Sequence, residues 1–332
     1  MGVKIHKIEY YLPGRIVSNK DLEEEFKDWS ADKIEKKIGI RTRHVVSDDE
    51  TALDLAFEAS RKVLNAYDKN KIDFLILCTQ SPDYYLPTSA CILQDKLGLG
   101  NNIGAFDFNL GCSGFIYGLA ITKGLINSGI ANNVLLVTSE TYSKHLHPKD
   151  KANRTIFGDG AAAIVIEKSP EENIFEFSLG TDGSGFKNLI VPNGGLRNCY
   201  DSTAKEVEDD SGSIRTSNNL FMNGPEIFNF TIEAVPKLVT DVFEKNSLSL
   251  EDIDYVIFHQ ANKYMIEYLR KKIAIPKDKF YNNLLDTGNT VSTTIPIALK
   301  KCIEEKTIKK GDKVLLVGFG VGYSYGATII SI

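Results

Sequence analysis

Residues 72–77 read IDFLIL and residues 253–258 read IDYVIF, so each stretch is an Ile-Asp pair followed by four apolar or aromatic residues. A second pair of stretches agrees as closely, because residues 133–137 read NVLLV and residues 313–317 read KVLLV. The members of each pair are separated by about 180 residues. Similar segments that recur in the same order at one spacing indicate an internal duplication.

A third match lies between these strands. Gly111-Cys112 occupies the place in the first half that Gly288-Asn289 occupies in the second, at nearly the same separation. Three ordered matches are more than chance recurrence of short apolar runs explains. We therefore expect two similar halves, residues 1–175 and 176–332.

The apolar runs predict the type of fold. Uninterrupted runs of four to six apolar residues are typical of strands that are covered on both faces by helices. Helical patterns lie between them, at residues 52–67, 113–128, 226–245 and 264–273. Pro236 falls inside the third pattern and predicts a kink or a split there. Strands that alternate with helices indicate an α/β architecture.

Composition and charge exclude several classes of protein. The chain has 332 residues, of which 42% are hydrophobic and 25% charged, which is typical of a globular protein and excludes intrinsic disorder. The formal net charge of −5 and the lack of a basic stripe argue against a nucleic-acid binder.

The hydropathy of the sequence and the positions of its Cys and His residues argue against a membrane span, a disulfide framework and a metal site. No apolar window is long enough for a transmembrane helix, and the first ten residues are too polar for a signal peptide. The five cysteines are scattered without a CxxC pair, and His145 and His147 have no further ligands nearby in sequence. We expect a cytoplasmic protein with no membrane contact, no metal and no cofactor.

The segment from residue 107 to 119, DFNLGCSGFIYGL, holds the strongest candidate for a nucleophile. Gly111 and Gly114 allow a tight turn that places Cys112 at the start of a helix. The unpaired N–H groups and the dipole of a helix start favour a thiolate. A thiolate is both a good nucleophile and a good leaving group, which suits transient thioester chemistry.

Two further residues lie where α/β proteins build their sites. His259 follows the strand at residues 255–258, and Asn289 opens the helix that is equivalent to the one after Cys112. Carboxyl ends of strands and amino ends of helices are the usual places for such sites. Each signal is weak alone, since His259 could be a core residue and Asn289 a helix cap.

The ordered motifs resemble a known family. They are Cys112 in GCSGF, FGDGA at residues 157–161, His259 in HQAN, Asn289 in GNT, and GFGVGYSYG at residues 318–326. The set is similar to the β-ketoacyl-(acyl-carrier-protein) synthase III family of the thiolase-like superfamily, from about Gly14 to the end of the chain. The resemblance implies a thiolase-like five-layered α-β-α-β-α fold made of two duplicated halves, and a homodimer.

The resemblance also implies roles. Members transfer an acyl group from coenzyme A to the cysteine and then condense it with malonyl-acyl carrier protein, releasing CO2. Cys112 would be the nucleophile, and the backbone N–H groups of Cys112 and Val321 would form the oxyanion hole. His259 Nε2 and the Asn289 amide would stabilise the enolate, and Phe319 would shield this step from water.

Substrate-binding positions are also implied, some of them with departures from the family pattern. The implied substrate-binding residues are Phe157, Phe319, Asn262, Lys37, Lys151 and Arg154. Lys33 stands where members often place a tryptophan against the adenine of coenzyme A, and Trp29 lies four residues earlier. Lys37 and Lys151 stand where members have arginines.

An acidic carrier protein predicts a local basic patch. The candidate residues are Lys263, Arg270, Lys271 and Lys272, which could equally be an ordinary solvated helix end. Tyr264 stands where an arginine commonly helps to dock the carrier.

Three other functions stay open at this point. The first is an acyltransferase that passes the acyl group from Cys112 to an alcohol or amine in specialised metabolism. The second is a non-catalytic scaffold subunit, against which the intact Cys112, His259 and Asn289 argue. The third is a non-decarboxylating synthase, which would need a carboxylate base near the thiol, with Asp83 as a possible residue.

Overall fold

The structure, a computed structural model, describes residues 2–332. The strands are β1 Gly2–Tyr11, β2 Arg15–Ser18, β3 Thr42–Val45, β4 Phe74–Cys78, β5 Gly104–Phe108, β6 Asn133–Glu140, β7 Gly160–Ser169, β8 Ile174–Thr181, β9 Leu189–Ile190, β10 Val207–Glu208, β11 Ile214–Arg215, β12 Phe221–Met222, β13 Tyr255–Phe258, β14 Phe280–Tyr281, β15 Lys313–Gly320 and β16 Ser324–Ser331.

The α-helices are α1 Asn19–Glu25, α2 Ala31–Ile38, α3 Ala52–Leu64, α4 Ser89–Leu97, α5 Gly114–Asn127, α6 Lys151–Arg154, α7 Gly224–Asn246, α8 Lys263–Lys272 and α9 Thr294–Glu304. Short 3₁₀ turns lie at Lys69–Lys71, Tyr142–His145, Gly183–Asn188, Leu250–Asp252, Lys277–Lys279 and Val291–Thr293.

Ten of the strands form two five-stranded sheets. The first has the order β1-β7-β6-β4-β5 and the second has the order β14-β13-β15-β16-β8. In the first sheet β4 is parallel to β5 and β6, and in the second β13 is parallel to β14 and β15. The first sheet draws on residues 2–169 and the second on residues 174–331. The chain passes from one sheet to the other between Ser169 and Ile174, so the boundary expected between residues 175 and 176 lies inside β8. The division into two halves stays a prediction.

Helices cover both faces of each sheet. Helices α3 and α4 pack on one face of the first sheet, and α7 packs with α8 on the far face of the second. Helices α5 and α9 lie between the two sheets and contact both. The layers therefore alternate helix, sheet, helix, sheet, helix, and the predicted α/β class is confirmed.

The packing explains why the strands are apolar throughout. In β6, Val134 and Leu136 belong to the core between the sheets, whereas Leu135 and Val137 belong to the core under α3 and α4. All four side chains are fully buried. A strand between two helical layers has no solvent face, so its sequence shows no alternation.

Helix α7 runs without a split from Gly224 to Asn246 through Pro236, so of the predicted kink or split only the kink stays a prediction. A proline lacks the N–H that would bond the carbonyl four residues earlier, which is that of Ile232. The Lys272 Nζ lies 2.8 Å from the Ile232 oxygen and donates to it instead. A lysine of α8 thus satisfies the carbonyl that the proline leaves without a partner.

Among residues 2–332 no helix is both long enough and apolar enough to cross a membrane.

Candidate active site

The turn before α5 holds Cys112 in place. Gly114 N donates to Gly111 O at 2.7 Å, and only 5% of Cys112 is exposed. The end of β15 passes directly over the side chain, since a β-carbon at Gly320 would lie 2.7 Å from the Cys112 Sγ. A β-carbon at Gly318 would lie 2.9 Å from the Cys112 carbonyl oxygen. Glycine at these two positions therefore lets the strand close over the cysteine.

Burial dominates the acidity of this thiol. It raises the pKa of Cys112 to about 12, and the charge of an ionised Glu140 acts in the same direction. Hydrogen bonds from the backbone N–H groups of Val321 and of Cys112 itself act to lower the pKa. The helix start favours a thiolate, as the sequence predicts, but burial outweighs it, so the resting cysteine is a neutral thiol.

His259 lies at the end of β13 with 2% of its surface exposed. Its Nδ1 lies 2.7 Å from the Thr294 Oγ1, and that hydroxyl donates to the Val291 carbonyl at 3.0 Å. Because the hydroxyl proton is already used, the oxygen accepts from Nδ1–H and leaves the lone pair on Nε2. Burial lowers the pKa of His259 to about 3, so the ring is neutral.

Asn289 is fixed through backbone contacts with the FGDGA segment. Its N–H donates to the Ile156 carbonyl at 2.9 Å, and its carbonyl accepts from Gly158 at 3.0 Å. The Asn289 Oδ1 accepts from Val291 N at 2.9 Å. The Nδ2 lies 3.4 Å from the Ala261 carbonyl, two residues after His259, and this long contact leaves the amide able to donate elsewhere.

Val291 joins these groups into one site. Its N–H bonds to Asn289, its carbonyl holds the Thr294 that faces His259, and its side chain shares a buried cluster with Cys112. Val291 has φ +58°, a left-handed conformation that is strained for a β-branched residue. The strain falls where the chain turns between the asparagine and the threonine.

Two phenylalanines predicted from the resemblance border the same site. Phe319 is 2% exposed and meets the His259 ring edge to face, with the ring centroids 5.7 Å apart. Phe157 is 3% exposed and lies in the same cluster as Cys112. Its backbone pairs with that of Asn289. Both surround the reactive groups with apolar surface.

Glu140, a buried acid near Cys112, is the main candidate site residue that the sequence analysis did not identify. Glu140 ends β6 with no exposed surface, and its Oε1 lies 2.8 Å from the Ser292 Oγ. Its Oε2 accepts from Gln80 N at 3.0 Å. Burial raises the pKa of Glu140 to about 8. The available signal was weaker than that for His259, because Glu140 lies three residues beyond the apolar run 134–137, whereas His259 follows its strand directly.

Asp83, the carboxylate named for a non-decarboxylating synthase, lies elsewhere in the hydrogen-bond network. Its Oδ2 accepts from the Thr51 hydroxyl at 3.1 Å, at the residue that caps α3. The carboxyl group whose charge influences Cys112 is that of Glu140.

A cavity of about 610 Å³ opens beside the cysteine loop and includes Val321 in its wall. The Tyr142 hydroxyl donates to the Gln80 Oε1 at 2.5 Å, and the Gln80 Nε2 donates to the Asn109 Oδ1 at 2.9 Å. Leu189 and other apolar residues line the same space. The wall of this cavity is therefore partly apolar and partly polar.

The other residues assigned to substrate binding have structural partners. The Lys151 Nζ lies 2.6 Å from Asp28, and 8% of Lys151 is exposed. Arg154 pairs with Glu25. Asn262 caps α8 by accepting from Met265 N at 2.9 Å.

The basic groups near α8 divide into two kinds. Arg270 pairs with Glu267 at 3.0 Å and also donates to a carbonyl, and Lys272 bonds to Ile232. Lys263 and Lys271 instead line a groove of about 300 Å³. We call this the α2–α8 groove; its other residues are Lys36, Lys37, Tyr264, Glu267 and Tyr268. Lys37 also lies 5.2 Å from the centre of the Trp29 ring.

No group of three or more His, Cys, Asp or Glu residues that could hold a metal ion is present in the described part of the chain.

Comparison with known proteins places the chain among condensing enzymes. A family model described as 3-oxoacyl-(acyl-carrier-protein) synthase III matches residues 106–183, and its C-terminal counterpart matches residues 243–332. A β-ketoacyl-(acyl-carrier-protein) synthase III from Clostridium perfringens is 39% identical over 100% of this chain and 99% of its own. A β-ketoacyl-(acyl-carrier-protein) synthase III from Fusobacterium nucleatum is 38% identical over 99% of this chain and 98% of its own.

Solved structures agree. A crystal structure of a 3-oxoacyl-(acyl-carrier-protein) synthase III matches with a TM-score of 0.98 and 44% identity over all of both chains. The enzyme of this type from Thermus thermophilus matches with a TM-score of 0.87 and 33% identity, over 100% of this chain and 99% of its own. The thiolase-like five-layered fold expected from the sequence is confirmed.

Proposed function

Since this chain belongs to the 3-oxoacyl-(acyl-carrier-protein) synthase III family, it is a condensing acyltransferase, and we propose that Cys112, His259 and Asn289 carry its chemistry. It condenses an acyl-coenzyme A with malonyl-acyl carrier protein to give a β-ketoacyl-acyl carrier protein and CO2. The observation that supports these three residues is their joint connection to Val291, which contacts the groups around each of them. The comparisons do not favour the alternative transfer to an alcohol or amine.

The first step is transfer of the acyl group to sulfur. The neutral Nε2 of His259 accepts the proton of the Cys112 thiol as the sulfur attacks the thioester carbonyl. The backbone N–H groups of Cys112 and Val321 stabilise the negative charge that develops on the carbonyl oxygen. When the intermediate collapses, the thiolate of coenzyme A leaves and takes the proton from His259.

The second step forms the carbon–carbon bond. Malonyl-acyl carrier protein loses CO2, and the electrons of the broken bond form an enolate whose oxygen accepts from the Asn289 Nδ2. The carbon of the enolate attacks the acyl-Cys112 carbonyl, and the thiolate of Cys112 leaves and takes up a proton. Phe319 and Phe157 keep water from the enolate, which would otherwise be protonated unproductively.

His259 assists the second step through its Nε2. After coenzyme A has left, exchange with water delivers a proton to Nε2 and removes the one on Nδ1, so that Nε2–H can donate to the enolate oxygen. The Thr294 hydroxyl then turns from the Val291 carbonyl and donates to Nδ1. Thr294 is therefore a positioning residue that supports either form of the ring.

The carrier protein docks at the α2–α8 groove. Lys36, Lys37, Lys263 and Lys271 supply four positive charges around Tyr264 and Tyr268, in a protein whose net charge is −5. An acidic carrier is attracted to such a local patch. Asn262, the last residue of the HQAN motif, caps α8, and Lys263 is its first residue, so a carrier bound here lies next to the catalytic residues.

The working form is a homodimer. Strand β5 is an edge of the first sheet and carries Phe106 and Phe108, which are only partly buried. An exposed edge of this kind is a ready template for pairing with another strand. Pairing with β5 of a second copy would join the two sheets. The oligomeric state is measured by analytical ultracentrifugation.

The experiment that tests the function is intact-protein mass spectrometry after incubation with acyl-coenzyme A thioesters of different chain lengths, with wild type beside Cys112→Ala. A gain of one acyl mass in wild type, absent from the variant, supports Cys112 as the nucleophile. The acylated protein is then mixed with malonyl-acyl carrier protein, and release of CO2 together with loss of the acyl mass supports the condensation. Acylation of the Cys112→Ala variant would exclude the assignment.

A further inference from the structure

A second cavity, of about 330 Å³, lies beside the two-stranded sheet of β2 and β3. We call it the arginine cavity, and its charged wall consists of Arg15, Arg43, Lys144, Arg154, Glu25 and Asp48. Within the described chain, no residue that lines the arginine cavity also lines the cavity of about 610 Å³ near Cys112 or the α2–α8 groove, so the arginine cavity is a separate space. Its volume is at the lower end of the range for small-molecule sites.

Arg43 is a buried cation in this wall, with 1% of its surface exposed. Its guanidinium donates to the Val17 carbonyl at 3.1 Å, the Asn19 Oδ1 at 2.7 Å and the Thr155 carbonyl at 3.0 Å, all of them neutral oxygens. The Arg43 Nε is buried and has no hydrogen-bond partner within residues 2–332. Arg43 forms no direct ion pair within residues 2–332, although the charge of Asp21 acts on it from a distance. A buried charge without a direct ion pair is costly and is kept where something compensates it.

The charged groups around Arg43 do not neutralise its positive charge. Burial, and then the nearby Arg154, lower the pKa of Arg43 to about 10. Glu25 does not neutralise it, since its carboxylate pairs with Arg154. Lys144 donates to a backbone oxygen of Asp48 at 2.7 Å. Four cations and two acids thus line the space, and the most deeply buried cation, Arg43, has no carboxylate among its hydrogen-bond partners in the described chain.

We propose that the arginine cavity binds a phosphate group, with Arg43 as the buried anchor and with Arg15 and Lys144 at its entrance. Guanidinium groups match phosphate oxygens through paired N–H donors, and such charge-assisted bonds are the stronger class of hydrogen bond. A phosphate would supply the negative charge that Arg43 lacks.

The cavity is close to the catalytic asparagine through Arg43 itself. A β-carbon at Gly158 or at Gly288 would lie 3.2 or 3.1 Å from the Arg43 Cβ, and these glycines flank the pairing of Phe157 with Asn289. Phe157 also lines the cavity. A phosphate that fixes Arg43 therefore also fixes the backbone that carries Asn289.

Isothermal titration of the full chain with inorganic phosphate and with pyrophosphate, against chloride at matched ionic strength, tests the proposal. The double variant Arg15→Ser, Lys144→Ser removes the two entrance cations without touching the buried arginine. In the titration we expect the Kd for phosphate to be at least about tenfold higher for the double variant than for wild type. In a thermal melt we expect phosphate to raise the unfolding temperature of wild type. The matched control, Arg197→Ser, changes an exposed arginine outside the cavity and should bind like wild type.

A second pair of measurements distinguishes a phosphate carried by the substrate from a free one. If the phosphate is the 3′-phosphate of acyl-coenzyme A, the double variant raises KM for the acyl-coenzyme A and leaves KM for its 3′-dephospho form unchanged. If it is a free phosphate, its binding persists when acyl-coenzyme A is saturating. Arg43→Lys keeps the charge but loses the paired donors, and it should weaken binding in either case.

Either of two results would overturn the proposal. One is phosphate binding of equal strength in wild type and in the double variant. The other is phosphate binding that disappears in Lys263→Ser, Lys271→Ser instead, which would place the anion in the α2–α8 groove.

Discussion

The Thr294 hydroxyl lies 2.7 Å from the Nδ1 of His259 and donates a hydrogen bond to the Val291 carbonyl. While the hydroxyl donates to Val291, the ring carries its proton on Nδ1, because an oxygen that already donates can only accept from Nδ1–H. The lone pair on Nε2 is what the first step needs in order to take the proton of a thiol whose pKa is raised to about 12. The hydroxyl of Thr294, the first residue of α9, thus orients the ring of His259, the residue directly after β13.

Replacing Thr294 by valine should slow the enzyme without preventing folding. The shape of the side chain is kept while the hydroxyl is lost, so His259 loses its orienting partner, and kcat should fall roughly 10- to 100-fold for a bond of about 1.5–3 kcal/mol. Thr294→Ser keeps the hydroxyl and should recover most of the activity. Steady-state kinetics with both substrates measure this, and equal rates for the serine and valine variants would contradict the role.

Asn289→Ala should separate the two steps. Loss of the amide removes a donor to the enolate but none to the thioester, so acylation of Cys112 should proceed while CO2 release falls about 10²- to 10³-fold. Intact mass follows the first step and ¹⁴CO2 release from labelled malonyl-acyl carrier protein follows the second. An unchanged condensation rate would remove Asn289 from the mechanism.

Glu140→Gln should change how stability depends on pH. The folded protein raises the pKa of Glu140 from 4.5 to about 8, so this group stabilises the fold fully below pH 4.5 and that contribution is lost as the pH rises through 8. The glutamine cannot ionise and should lose less stability between pH 5 and 8 than wild type. Urea unfolding across this range tests it.

The control for that experiment is Asp159, whose pKa burial raises to about 6 with the same sign. Asp159 is present in both proteins, but its charge also raises the pKa of Glu140, so its contribution cancels only in part in the difference between them. Parallel curves for wild type and Glu140→Gln would show that Glu140 does not titrate in this range.

Charge reversal in the α2–α8 groove should weaken carrier binding selectively. Lys263→Glu combined with Lys271→Glu replaces attraction with repulsion toward an acidic carrier, and KM for malonyl-acyl carrier protein should rise about tenfold at low salt. The rate of acylation by acyl-coenzyme A should be unchanged. Lys310→Glu, an exposed reversal away from the groove, is the matched control. An equal rise in KM for the control would show only a general effect of charge.

The strands and the layer architecture could be predicted because buried parallel strands leave a continuous apolar signature. Val134 to Val137 show it directly, since their alternate side chains enter two different cores. The unbroken course of α7 could not be predicted, because the lysine that compensates Pro236 comes from α8, 36 residues further along the chain. A local rule does not include a distant donor.

The candidate site also has residues that could be predicted from the sequence and contacts that could not. Cys112, His259 and Asn289 stand in short motifs that can be read from the sequence, and their roles stay predictions. The contact of Glu140 with Ser292 joins residues 152 positions apart, so no local pattern reveals it. The direction of the Cys112 pKa also depends on burial by β15, which the helix-start argument does not contain.

The strand that closes over Cys112 also determines the lifetime of what the cysteine carries. With 5% of the residue exposed and a glycine backbone against the sulfur, a water molecule has little access to an acyl-thioester formed there. With Cys112 as the proposed nucleophile, we expect hydrolysis to be slow compared with condensation, so that the acyl-enzyme persists until its second substrate binds. When malonyl-acyl carrier protein is scarce, we expect the acyl-enzyme to accumulate and the flux through it to follow the supply of the malonyl donor.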